Sequence, residues 1–195
     1  MPDEYEDHPG SSRRPVADLG GPMLKPLSAV FATVALTVAS VAVASPAGAA
    51  TSSINSALAA TSGAGICYQA HVQNEGWQTP RCNGEIAGTE GKNQHLEKLL
   101  IAKVGTGRLC ARAHVQNLGW PDKWQCADDN QTIALGTEGL GLQIEAIEIT
   151  VSTGVAIDGH IENHGWTGWS GYHTGVGVGT VGQNRAIEAV KLAVR

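Results

Sequence analysis

Three histidines, three tryptophans and three glutamates recur in a fixed order along this 195-residue chain. His71, His114 and His160 each stand six residues before a tryptophan, namely Trp77, Trp120 and Trp166, and Glu97, Glu145 and Glu188 follow in turn. Imidazoles can ligate a metal, move protons or hydrogen-bond sugar hydroxyls. A three-histidine metal centre is permitted by imidazole geometry, but nothing in the spacing demands it, so neither metal nor cofactor is expected. Catalysis fares no better. No Ser, Cys or carboxylate recurs where it would complete a catalytic pair, and such a pair is unique in place rather than echoed three times. The simplest role for each histidine is a hydrogen bond within its own repeat, to the following turn or to the recurring Glu, because buried polar groups need partners. The chemical alternative is contact with sugar hydroxyls, alongside Gln69, Gln73, Arg112, Gln116, Asp158 and Glu162.

A flat indole stacks on apolar faces, including those of sugar rings, yet a tryptophan at one invariant place in every repeat is also what packing produces. Trp124 and Trp169 differ from the recurring three. They sit in loops of unequal length beyond the turn, and the first repeat has no counterpart. Aromatic residues on loops held by a rigid scaffold make good contact residues. The expected ligand-contact set is therefore Trp124 and Trp169, then Trp77, Trp120 and Trp166, with His71, His114 and His160 beside them.

Alignment on the His–Trp phrase gives units 66–104, 109–151 and 155–194. "CYQAHVQN" alternates apolar and polar residues, the period of a half-buried strand. Asn and Gly then supply a turn at Asn74-Glu75-Gly76 and its counterparts. Gly88-Thr89, Gly136-Thr137 and Gly179-Thr180 open a Gly-Thr-x-Gly turn that lacks the lysine of a phosphate loop. In "LGLQIEAIEITV" (140–151) the apolar parity slips at Glu145-Ala146, and "IEAVKLAV" slips at the same place. A β-bulge does this, with the Glu accepting backbone N–H groups that the bulge frees; a helical turn is the alternative. Units this small cannot each bury a face, so they must share one core. The expected fold is all-β, a pseudo-threefold β-prism, with a β-trefoil as the alternative.

The cysteines follow the repeat. Cys67 and Cys110 lie four residues before their histidines, Cys82 and Cys126 lie just past their tryptophans, and the third unit lacks both. Joint loss implies pairing within a unit, Cys67–Cys82 and Cys110–Cys126. Each bridge closes a short loop and contributes roughly 3 kcal/mol in the chain-entropy view. Oxidised pairs suit an exported protein.

Export is also the reading of the amino-terminal region. Lys25 precedes an apolar run from Leu27 to Ala44, and Ala47-Gly48-Ala49 fits a processing site. Residues 1–49 are thus a leader and signal peptide, with Met1 and Met23 as alternative starts, 50–65 a short linker, and 66–195 the three-unit domain. The run is rich in Ala, Ser and Thr and barely long enough to span a membrane. After Ala49 the chain has 13 acidic and 10 basic residues. No basic block is present to neutralise a phosphate backbone, which argues against nucleic acid. No basic amphipathic helix suggests a membrane surface.

His114-Val115-Gln116-Asn117-Leu118-Gly119-Trp120, then Gly136-Thr137-Glu138-Gly139, then Ile144-Glu145-Ala146-Ile147 resembles the clostridial hydrophobic repeat with a characteristic Trp, known as ChW. The resemblance covers all three units, with departures at Lys98, at Glu162 and in the Gly-rich "YHTGVGVGT". It implies an extracellular module that binds polysaccharide or protein at cell surfaces. The expected function is that of a secreted, non-enzymatic binding module for cell-surface or environmental carbohydrate, offering up to three similar sites. A protein–protein adhesion module and a secreted hydrolase are the alternatives.

Overall fold

The structure is a computed structural model that describes residues 46–195. The leader expected over 1–49 lies outside the described residues except for its last four, which begin a helix. That helix, α1 (Pro46–Ala59), is followed by twelve strands. The first unit gives β1 (Gly65–Val72), β2 (Gly76–Trp77), β3 (Arg81–Cys82), β4 (Ala87–Gly88) and β5 (Leu96–Val104). The second gives β6 (Leu109–Val115), β7 (Gln125–Ala127) and β8 (Thr132–Gly136), then enters the long β9 (Ile144–Ile161). The third continues along β9 and adds β10 (Gly165–Trp166), β11 (His173–Gly179) and β12 (Ile187–Val194).

In each unit the strand that bears the His pairs antiparallel with the strand that bears the Glu: β1 with β5, β6 with the first half of β9, and the second half of β9 with β12. The fourth strand of each sheet comes from another unit. β8 of the second unit pairs with β5 of the first, β11 of the third with β9 of the second, and β4 of the first with β12 of the third. The exchange is cyclic, so the three units close on one another. β9 runs for 18 residues because it serves two sheets in succession. Among the described residues no sheet closes into a barrel, which is the arrangement of a prism and not of a trefoil.

Register shows why the apolar parity slips. His71 faces Lys98 while Val72 faces Leu96, leaving Glu97 as the extra residue. Glu145 and Glu188 are left over in the same way. The slip is a bulge, and it lets Leu96 and Leu99, or Ile144 and Ile147, both point inward. One apolar cluster takes side chains from every unit, among them Tyr68, Ile101, Leu109, Ile149, Ile157 and Leu192. The shared core follows from the inability of any one sheet face to bury itself.

Both disulfides form as the repeat implied, Cys67–Cys82 and Cys110–Cys126, each across a pair of neighbouring strands. In the third unit, which lacks the cysteines, Ser170 ties the adjoining residue pair together. Ser170 donates its N–H to the Ile157 carbonyl at 3.0 Å, and its Oγ accepts from Ile157 N at 3.1 Å.

The stretch expected as a linker, 50–65, holds most of α1 instead. Ala50, Ile54 and Leu58 form a stripe at helical spacing and are buried against Cys67, Leu100 and Ala102 on the outer face of the first sheet. Small Ala and Ser residues disguise the helix in the sequence; the apolar patch beneath it is what fixes it in place.

Candidate ligand-binding site

The bulge sets each glutamate directly under its histidine. Carboxylate oxygen and Nδ1 are 3.0 Å apart in His71–Glu97, 2.9 Å in His114–Glu145 and 2.8 Å in His160–Glu188. The contacts are close without the alignment of a linear hydrogen bond. The Glu therefore serves the imidazole, not the backbone N–H groups of the bulge as expected from sequence. Its main-chain carbonyl accepts the Thr N–H of the adjoining unit, at 2.8–2.9 Å in all three places. The glycine before each Thr permits that approach. A Cβ on Gly136 or Gly179 would stand 2.3 or 2.2 Å from the Glu carbonyl oxygen, and both residues have positive φ.

Each imidazole also meets its tryptophan edge-on, with ring centroids 5.1–5.4 Å apart. The His is thus held between its Glu and its Trp within its own unit, by a close ionic contact and a ring edge rather than by the aligned hydrogen bond expected from the sequence. Among the described residues no three His, Cys, Asp or Glu come close enough together to hold a metal ion.

A cation covers the indole in each unit, but from a different position each time. Lys98 lies 5.9 Å from the Trp77 ring centroid, Arg112 lies 4.7 Å from Trp120, and Lys191 lies 4.0 Å from Trp166. Packing alone does not require that convergence; cation–π attraction at a half-exposed ring does. In the second and third units the same cation also meets the loop aromatic, Arg112 to Trp124 at 4.8 Å and Lys191 to Trp169 at 5.3 Å.

The indole N–H groups break the symmetry. Trp77 Nε1 donates to Glu138 at 3.1 Å, and Trp166 Nε1 donates to Glu90. Both acceptors occupy the x of Gly-Thr-x-Gly in the unit that lends its strand. Partial burial works against ionisation of Glu138, but hydrogen bonds from Lys98 and Trp77 outweigh it and hold the carboxyl below its usual range. For Trp120 the corresponding residue is Val181, which offers no acceptor, and no protein group among the described residues accepts from Trp120 Nε1.

The clostridial hydrophobic W family, ChW, matches residues 71–102, 114–152 and 160–195, more than half of the chain. The chain belongs to the ChW family. The matched segments coincide with the three His–Trp–Glu frames, so the geometry above is that of three ChW units closed into a ring. No curated protein and no solved structure matches the chain.

The outer faces of the three ChW sheets differ although their frames agree. On the first, Cys67, Leu100, Ala102 and Ala134 are apolar and lie under α1. On the third, Lys191 pairs with Asp158 at 2.7 Å, Trp169 reaches across to Gly84 of the first unit, and β4 contributes only two residues. Among the described residues nothing covers the second face. Its outward residues are Arg112 from β6, Ala146, Glu148 and Thr150 from β9, and Gly175, Gly177 and Gly179 from β11. Arg112 Nη2 is paired with Glu148 at 2.6 Å.

A polar recess lies where the three ChW units meet, lined by Gln73, His95, Gln143, Glu162 and Glu188. Burial pushes the His95 imidazole below its ordinary pKa, against the opposing pull of Glu97 and Glu162.

Of the residues expected to bind ligand, Trp120 and Trp124 come together on the open face, Trp166 and Trp169 on the third, and Trp77 beside α1. Sequence reasoning passed over Glu148, Val181 and the glycines of β11. The signal was there in "YHTGVGVGT", where the third unit departs from the others.

Proposed function

We propose that this ChW protein is an extracellular, non-enzymatic binding module whose ligand is carbohydrate of a cell surface or of the environment. The observation that carries this reading is the Trp120–Arg112–Trp124 stack, with the Glu148 carboxylate joined to its guanidinium, on a face open to solvent. Planar donors and acceptors flanked by indole rings can hydrogen-bond sugar hydroxyls while the rings take the apolar faces. The cyclic frame keeps such a site rigid, so little freedom is lost on binding. Two disulfides suit an oxidising compartment outside the cell. Retention on insoluble cellulose, chitin, xylan and peptidoglycan tests the reading. At least one should retain the protein, and Trp124→Ala should weaken retention about fivefold, the loss of one stacking contact of roughly 1 kcal/mol. Retention by none of them would overturn it.

A second reading has support from one feature, the unpaired outer edge of β11. The matching strand of the second unit has its Ala134 N–H held by the Gln125 side chain at 3.3 Å, whereas among the described residues β11 pairs only with β9. An open edge can accept a strand from a partner protein. Retention by a protein ligand, and by no glycan, would favour this adhesion role.

A further inference from the structure

We infer that the module has one ligand site rather than three, a trough along the second sheet that holds an extended glycan segment. The inference rests on the carbohydrate reading above and adds the place, the number and the shape of the site.

Three hollows run end to end on this face. The first lies between Trp120, Glu148 and Val181; the second between Trp124, Glu148, Thr150 and Gly177; the third beyond Thr150 and Gly175, toward Arg108 and Ser152. Neighbouring hollows share residues, Glu148 and Gly177 at one join and Thr150 and Gly175 at the other, so they form one trough. It follows β9 from Ala146 to Ser152, about 20 Å at the rise of a strand. The alternation Gly175, Gly177, Gly179 leaves the β11 side of the floor without side chains, while Val176 and Val178 between them point to the core. Trp120 and Trp124 stand beside a floor that is bare along β11 and carries Glu148 and Thr150 along β9, which suits sugar rings laid in line.

The other two faces show why the site is single. In the first ChW unit α1 lies on the equivalent strands, and Leu100 and Ala102 stand where the second has Glu148 and Thr150. That face is built for an apolar helix of this chain and not for a polar ligand. In the third unit the place of the loaned strand is filled only at Ala87 and Gly88, and Trp169 lies against Gly84. The avidity of three similar sites, expected from the repeat, therefore does not arise.

Trp120 marks the open site independently. Its two counterparts give their indole N–H to Glu138 and Glu90, while Val181 leaves this one free at the end of the trough. A ligand hydroxyl completes the set.

Isothermal titration with cellohexaose, xylohexaose and chitohexaose, each against its monosaccharide, tests this. The hexasaccharide that binds should do so with one site per chain and at least tenfold more tightly than the single sugar. Val181→Glu should supply the missing acceptor, as Glu does natively in the other two units, and should weaken binding at least fivefold without lowering the melting temperature. Gly175→Val places a branched side chain on the floor at a strand position with ordinary φ and should abolish binding. Trp169→Ala should leave the affinity unchanged. Two or three sites per chain, or binding indifferent to both Val181→Glu and Gly175→Val, would overturn the single trough while leaving the carbohydrate reading intact. Failure of every glycan to bind, in solution and on insoluble polymer, would remove the carbohydrate reading itself and the trough with it.

Discussion

His95 shows what one residue can do at a place the repeats share. Its counterpart in the second unit is Gln143, a neutral side chain that lines the same recess. Burial favours the neutral imidazole, so its pKa in the folded state lies below the ordinary 6.5, although the Glu97 and Glu162 carboxylates pull the other way. The unfolded chain then binds the proton more readily. Stability is complete above about pH 6.5 and is lost as the pH falls through the lower folded value. His95→Gln removes that dependence with a side chain already proven at the equivalent position. Thermal unfolding between pH 8 and pH 5 should show a smaller drop in melting temperature for the variant than for the parent. An unchanged drop in His95→Gln would mean that the recess does not disfavour the protonated ring. Residues of this kind were partly legible in the sequence. The nearness of His and Glu followed from two echoes in fixed order, because a buried imidazole and a buried carboxylate lower their cost by lying together. The free N–H of Trp120 was not legible, since it depends on which unit lends residue 181 to the neighbouring sheet.

At the scale of elements, alternation along β1 and β6 predicts strands, and the slip at Glu145-Ala146 predicts a bulge. The strand exchange is a different matter. β8 alternates whichever strand it pairs with, so periodicity alone gave no partner, and Gly136 needed its partner's carbonyl in view to explain it. α1 escaped notice for a third reason. Its Ala, Ser and Thr residues read as the end of a leader and a linker, and an isolated helix of this length is marginal in water. Docking and folding of α1 are therefore coupled, and both depend on Ile54 and Leu58. Cleavage after Ala49 would leave Ala50, Ile54 and Leu58 in place. Ile54→Ala should cost about 2–3 kcal/mol, toward the lower end for a buried Ile, because the helix can undock instead of enclosing a cavity. A urea denaturation series measures the loss. Hydrogen exchange should show amides of residues 54–60 losing protection well before those of β5. A loss under about 0.5 kcal/mol, with exchange unaltered, would mean that α1 is not held by that stripe.

For the whole molecule, closure decides what can exist alone. Each ChW unit lends a strand to one sheet and borrows one for another, and the Gly-Thr hydrogen bonds that seal these joins are made only between units. A fragment of residues 109–151 would keep β6, β7, β8 and the first half of β9, but β8 would have no β5 to pair with and β9 no β11. Its apolar residues, Leu109, Ile133, Leu135, Ile147 and Ile149, pack in the intact chain against side chains of the other two units. The fragment keeps its disulfide, worth roughly 3 kcal/mol in the chain-entropy view, yet that cannot replace a core that it no longer has. The expectation is a fragment without a cooperative melting transition by circular dichroism, and an intact chain that unfolds in a single step on heating and in urea. Solenoid repeats behave otherwise, gaining stability by increments as neighbours are added. Two stacked units of this chain, 66–151, should accordingly fare little better than one, because the ring stays open. A stable two-unit fragment with its own sharp transition would show that adjacency, and not closure, holds the fold, and the rigid scaffold behind the trough would lose its physical basis.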